Sequence, residues 1–379
     1  MLNYLKMSSS KNILILYITE RSGHHSAAKA LKKGFEAADP AVKVTCVNAF
    51  HYIFPFTERL THIIYLFVIK RVPFIWKLLY DRPTFVKSTH GIKNWIHRRA
   101  TQKIRTLLAD VNPDAVVCTQ AFPCGLFSSY KSESRAHLPL FGVLTDFAPH
   151  AYWIYDEVDG YIVGSEQTRQ WLAGKGVKKD KIHALGIPID PKFSTVLDRQ
   201  EIIANYGLDG GVPTVLIMGG GHGLGPIKDI LKKLDESALP LQFIVVCGIN
   251  LSLYRWLMRQ RFKKRMLAFR FTDEIHRLMS VSSVIISKPG GITTAEALAK
   301  QLPMISLKPI PGQETRNTDF LVGQKAAISA SSVCDIVPAV EHVLTDISKP
   351  TGMKRAIVEA GLNKPKSAED IARFILKHV

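Results

Sequence analysis

Two glycine-rich blocks in this chain carry residue types suited to holding a phosphorylated sugar. Gly219-Gly220-Gly221-His222-Gly223-Leu224-Gly225 follows an apolar run, Thr214 to Met218, and precedes a helix-forming stretch from Pro226 to Leu234. Glycines in such a turn let the backbone approach a ligand, and the free N–H groups at the helix start face an anion such as a diphosphate. The block is not a P-loop, because no Gly-Lys-Ser/Thr follows. It is not a clean GxGxxG fingerprint with an acid about 20 residues on either. The second block, Ser287-Lys288-Pro289-Gly290-Gly291-Ile292-Thr293-Thr294-Ala295-Glu296, again leads through glycines into a helix, Thr293 to Lys300. It presents Gly290, Gly291 and Thr293 at a second helix N-terminus. Glu296 offers a carboxylate that can accept two ribose hydroxyls, against the plainer role of a favourable charge near that terminus. The Pro/Gly-rich turn Pro309-Ile310-Pro311-Gly312-Gln313-Glu314-Thr315-Arg316-Asn317 ends in amide and carboxylate groups, which match sugar hydroxyls.

The opposite half offers acid–base groups. Ser22-Gly23-His24-His25 lies between an apolar run and a helix, where the helix dipole disfavours the imidazolium and keeps His24 usable as a base. A capping role for His24 in the glycine turn is the alternative. Thr145-Asp146-Phe147-Ala148-Pro149-His150 adds Asp146 and His150, with His25, as further candidates for the base or for contacts beside it. No Asp-x-Asp motif is present to bind a divalent ion, so two helix N-termini are expected to stabilise a departing diphosphate without metal or other cofactor.

The elements that must position these groups read as α/β. Ile13 to Ile18, Val42 to Asn48, Ala115 to Thr119, Leu140 to Leu144 and Gly160 to Val163 are short buried-strand runs with helices between them, the first from Ser26 to Glu36. The same grammar restarts after Gly186-Ile187-Pro188-Ile189-Asp190, with strands at Thr214 to Met218, Phe243 to Cys247 and Val284 to Ser287. Two doubly wound domains, 1–187 and 188–379, follow, and 379 residues at roughly 150 per domain agree. An amphipathic last helix, about 367–377, could pack on either domain.

Residues 50–105 do not fit that grammar. Aromatics such as Phe54, Tyr65, Trp76, Phe85 and Trp95 alternate with cations, and Glu58 to Arg105 holds eleven Lys or Arg against two acids. With a net charge of +18 and a second basic run from Arg255 to Arg270, this points to an anionic membrane face. A core helix pair with a basic rim is the rival reading. Nucleic acid is not the expected partner, since no helix-turn-helix, zinc-finger or RNA-recognition signature is present. The longest strongly apolar stretch, Leu60 to Ile69, is far short of the about 20 residues a span needs, and Met1 to Ser10 has no secretory h-region. Five scattered cysteines, none in a CxxC pair, fit reduced thiols used for packing.

From about Asn12 to Ala327 the chain resembles glycosyltransferase family 28, and within it the processive diacylglycerol glycosyltransferases and monogalactosyldiacylglycerol synthases. The resemblance rests on Ser22-Gly23-His24, Leu144-Thr145-Asp146-Phe147, Gly186-Ile187-Pro188-Ile189, Met218 to Pro226 and, above all, Lys288-Pro289-Gly290-Gly291 through Gln313-Glu314. It implies a GT-B fold, two Rossmann-like domains facing a cleft, with an acceptor-binding N-terminal domain and a donor-binding C-terminal one. It implies inverting transfer of a hexose, glucose or galactose, from a UDP-sugar to diacylglycerol at the inner face of the cell membrane, by a cytoplasmic, peripherally bound enzyme. Carried over by position, Gly220 and Gly221 approach the donor phosphates, Glu296 holds the ribose, and Gln313 and Glu314 hold the sugar hydroxyls. His24 matches the histidine of the family's N-terminal glycine loop, although Glu20-Arg21-Ser22-Gly23-His24-His25 has fewer glycines than that loop usually has. An N-acetylglucosaminyltransferase acting on a polyprenyl lipid and a sugar-nucleotide epimerase are the same-fold alternatives.

Overall fold

The computed structural model describes residues 10–20, 22–53, 90–307, 313–347 and 352–379. Most of the basic aromatic segment, 54–89, and the turn at 309–312 lie outside the described residues, as do the side chains of 90–100 and of Gln313.

The first half forms an all-parallel six-stranded sheet in the order β2-β1-β3-β4-β5-β6. Its strands are β1 (Asn12–Tyr17), β2 (Lys43–Asn48), β3 (Ala115–Cys118), β4 (Leu140–Val143), β5 (Gly160–Ile162) and β6 (Ile182–His183). The central strands are buried along nearly their whole length, as a sheet covered by helices on both faces requires. Helix α1 (Gly23–Ala38) follows β1, and α2 (His90–Val111) precedes β3. The sequence places the start of α1 at Ser26; it starts three residues earlier because the Ser22 hydroxyl caps it, accepting from the His25 N–H at 3.3 Å. Both His24 and His25 therefore sit in the first helical turn.

The second half repeats the architecture in the order β12-β11-β10-β7-β8-β9. The strands are β7 (Thr214–Met218), β8 (Gln242–Val246), β9 (Met266–Phe269), β10 (Val284–Ser287), β11 (Met304–Leu307) and β12 (Ala327–Ala330). Helices α3 (Ile227–Glu236), α4 (Leu251–Leu257), α5 (Gly291–Ala299) and α6 (Gln313–Gly323) follow β7, β8, β10 and β11. Strand β9 lies inside the basic run, at the sheet edge, and is only partly buried, so its apolar signal is weak.

The last helix, α7 (Ser367–Leu376), crosses back to the first half. Ile371, Ala372 and Ile375 are buried there with Ile13, Ile15 and Phe35, the two isoleucines contributing about 1.5–3 kcal/mol each. A Cβ on Gly34 of α1 would stand 2.4 Å from the Ala368 carbonyl oxygen, so glycine is what lets the two helices close. All five cysteines are free. Among the described residues no helix is long and apolar enough to cross a membrane.

Candidate active site

In a doubly wound sheet the ligand crevice opens beyond the strand C-termini where the strand order reverses. The reversals here fall between β1 and β3 in the first sheet and between β10 and β7 in the second. The loops and helix starts after those four strands carry His24, Thr119, Gly290-Gly291 and the 219–225 glycines, which is why these residues gather in one place. The two crevices face each other closely. A Cβ on Gly23 would lie 3.3 Å from Ile292, and one on Gly291 only 1.7 Å from the Thr145 carbonyl oxygen.

On the first-domain side, the Nδ1 of His24 lies 2.9 Å from the Thr119 carbonyl oxygen and 3.0 Å from the Thr145 hydroxyl. A carbonyl can only accept, so Nδ1 carries the hydrogen and Nε2 keeps its lone pair. The Thr119 hydroxyl donates back to the His24 carbonyl at 3.0 Å, fixing the same pair of segments from the other direction. Burial lowers the His24 pKa, and the Thr119 carbonyl only partly opposes it, so the ring is neutral at pH 7. The sequence suggested the helix dipole as the cause; burial is the leading one. His150 is pushed down to about 4 by burial, then by the charges of His24 and Arg316, which places these three groups in one electrostatic neighbourhood. His25 is turned elsewhere: its ring stacks on Tyr17 at 4.5 Å and pairs with the Glu20 carboxylate at 3.0 Å.

Asp146 is buried, and burial lifts its carboxyl to about 6, with Glu314 adding to the rise and the Asn317 amide opposing it. It lies at the domain junction, where Asn317 Nδ2 donates to its Oδ1 at 3.1 Å. A Cβ on Gly291 would come 3.2 Å from that same oxygen. Gly291 is thus glycine because the other domain's backbone passes against it, whereas Gly290 faces open space.

The 219–225 turn needs glycine for two reasons. Gly220, Gly223 and Gly225 have φ of +68, +56 and +123, which side chains rarely adopt. Gly220 and Gly225 also face open space, leaving room for a ligand, while a Cβ on Gly223 would strike the Cys247 carbonyl at 2.1 Å. The Gly221 carbonyl accepts from the Ile249 N–H at 3.0 Å. Gly248 is the partner that permits this, since its Cβ would be 2.2 Å from that carbonyl oxygen. Thr293 and Glu296 follow on α5; burial and then the charge of Asp190 lift the Glu296 carboxyl to about 8. Glu314 opens α6, where its charge reaches Asp146.

Thr119, Thr145 and Gly248 are absent from the candidates the sequence offers, and Asn317 enters there only as the last residue of the 309–317 turn. Thr119 and Gly248 immediately follow or closely trail strands, a signal usable only with the strand order in hand. Among the described residues no group of three or more His, Cys, Asp or Glu side chains is placed to hold a metal ion.

Two facing Rossmann-like domains with ligand loops at both reversal points define the GT-B class. The fold is shared with a calicheamicin glycosyltransferase, at a TM-score of 0.62 and 11% identity over 98% of this chain and 99% of that one. It is also shared with UDP-GlcNAc 2-epimerase from Neisseria meningitidis, at a TM-score of 0.57 and 14% identity over 97% and 98%. Residues 24–189 match the family model for monogalactosyldiacylglycerol (MGDG) synthase, and residues 214–370 the glycosyltransferase family 28 C-terminal domain. A processive diacylglycerol beta-glucosyltransferase from Bacillus pumilus is 30% identical over 359 residues, 92% of this chain and 91% of that protein. The chain belongs to glycosyltransferase family 28, in the group of the diacylglycerol glycosyltransferases.

Proposed function

We propose that the protein transfers a hexose from a UDP-sugar to diacylglycerol with inversion at the anomeric carbon, receiving the acceptor in residues 1–187 and the donor in 188–379. The observation that carries the reading is the His24 ring, neutral and held by the Thr119 carbonyl so that Nε2 is the free base, opposite two glycine-led helix starts. Nε2 takes the proton of the acceptor hydroxyl as that oxygen attacks the anomeric carbon. The bond from that carbon to the phosphate oxygen breaks, and its electron pair leaves with UDP. N–H groups of the 219–225 turn and the start of α5 receive the charge, so no metal is required. Glu296 accepts from the ribose hydroxyls, and Gln313 and Glu314 meet the hexose. Asp146 and His150 border the acceptor; His25, turned to Tyr17 and Glu20, is not placed among them.

The acceptor implies a bilayer, and we place the enzyme peripherally on the cytoplasmic face of the membrane, without nucleic-acid partners. The cations of 58–105 support this, as does a second patch on the other domain. There Lys228 and Lys232 stand over the Trp256 ring at 5.1 and 5.9 Å, and Met258, two residues on in the chain, is exposed. The test is an acceptor panel in EDTA: diacylglycerol, a polyprenyl-linked lipid, or none, with labelled UDP-glucose, UDP-galactose or UDP-GlcNAc. Labelled hexose on diacylglycerol is expected; label on the polyprenyl lipid alone, or an epimerised UDP-GlcNAc without acceptor, would replace the proposal with one of its alternatives.

A further inference from the structure

Helix α6 touches both halves of the site. Its first turn carries Gln313 and Glu314, assigned above to the hexose, and the next residues on the same face, Asn317 and Phe320, lie against the loop that carries Asp146 and His150. Asn317 is 1% exposed, and both ends of its amide are engaged. Nδ2 donates to Asp146 Oδ1 at 3.1 Å and to the Pro289 carbonyl at 3.0 Å, while Oδ1 accepts from the Ala148 N–H at 3.1 Å. One side chain thus joins the acceptor loop, the Pro289-Gly290-Gly291 turn and α6. Phe320, three residues on, stacks on Phe147 at 5.2 Å and 13°. Nothing apolar of equal size could replace that amide without leaving the Asp146 carboxyl and the Ala148 N–H buried and unsatisfied.

We propose that Asn317 is a positioning residue of the transfer reaction, fastening the 145–150 loop to the donor-sugar helix so that Asp146 and His150 are set in place only when the two domains are closed. The inference rests on the transferase reading above. It explains why a buried amide stands in a seam that also holds the Phe147–Phe320 stack, the Gln167–Gln324 hydrogen bond and the close approach of Gly291 to Thr145. It also ties the residues that meet the hexose to those that border the acceptor through a single turn of helix.

Asn317→Ala and the isosteric Asn317→Asp test it, with kcat, KM, UDP affinity by calorimetry and solution scattering measured for each. Asn317→Ala is expected to lower kcat by about 10–100-fold, the scale of a misplacement near 1 Å, with UDP affinity within about twofold of wild type. Its radius of gyration in solution should exceed that of the wild type. Asn317→Asp sets a second carboxyl against Asp146, with Glu314 adding negative charge and Arg316, His150 and His24 as the facing bases. Its kcat relative to wild type should therefore be lowest at pH 8 and recover toward pH 6, as one proton is shared between the facing carboxyls. Wild-type turnover and radius in Asn317→Ala would overturn the proposal. So would a parallel loss of UDP affinity in both variants, which marks a purely structural residue, or an Asn317→Asp ratio that is flat with pH. Calorimetry and scattering need no acceptor, so a failure of the wild type to glycosylate diacylglycerol is seen separately and counts against the function, not the latch.

Discussion

If Glu296 holds the ribose as proposed, UDP binding depends on pH with a slope set by its raised carboxyl. Its carboxyl stands at about 8 in the free protein because burial and the neighbouring Asp190 disfavour the charge. A charge-assisted hydrogen bond from one ribose hydroxyl to each carboxyl oxygen needs the ionised form, so UDP binding in this geometry expels the proton. With a free-state value of about 8, roughly one molecule in ten is ionised at pH 7 and nine in ten at pH 9. UDP affinity should then rise about tenfold over that range, equivalent to about 1.4 kcal/mol, and binding at pH 7 should release close to one proton. Calorimetry at pH 7, 8 and 9 in two buffers of different ionisation heat reads both quantities. Glu296→Gln, which has no proton to lose, should bind weakly and without this slope. The same shift has a stability sign. The folded value lies above the unfolded one, about 4.5, so wild-type stability relative to Glu296→Gln should fall as pH rises from about 5 to 8 and level off beyond. Equal slopes in the two proteins, or a wild-type affinity independent of pH, would refute the assignment of Glu296 to the ribose.

His24→Ala should cut turnover by about a hundredfold or more, the scale of losing a general base, while leaving UDP affinity nearly unchanged, because His24 lies in the other domain; turnover close to wild type would shift the proposed role to Asp146 or His150. Gly291→Ala puts a methyl group 1.7 Å from the Thr145 carbonyl oxygen, so closure must fail and kcat should drop by more than about tenfold, read by steady-state kinetics with UDP affinity as the control. Binding to anionic vesicles should weaken in high salt without vanishing, and a variant with Arg98→Glu, Arg99→Glu and Trp95→Ser should co-sediment less. Equal sedimentation of that variant would move the contact to the Lys228–Trp256–Met258 face, and wild type left in the supernatant would end the membrane reading.

Much of the fold is legible in the sequence because a parallel sheet is buried on both faces and writes each central strand as a short apolar run. The runs at 13–18, 214–218 and 284–287 are strands within a residue or two. Edge strands such as β9, half covered and set among cations, leave no such mark. The glycine blocks and His24 are legible because unusual backbone and helix starts require particular residues. Strand order is not written locally, and with it go the partners of His24: Thr119 is 95 residues away along the chain. Gly291 shows the limit from another side, since its reason is the carbonyl of Thr145 across the domain junction. Asn317 reads as one more amide of the 309–317 turn, and its partners Asp146 and Ala148 appear only when the 145–150 loop is folded against it.

The anomeric configuration of the lipid product tests the central claim most directly. Wild-type enzyme, incubated with UDP-glucose or UDP-galactose and diacylglycerol, yields a glycolipid whose anomeric proton can be assigned by NMR. One displacement driven by the His24 base turns the α-linked sugar of the donor into a β-glycoside, and that is the predicted product. An α-linked glycolipid, or no sugar on diacylglycerol from either donor, would contradict the account.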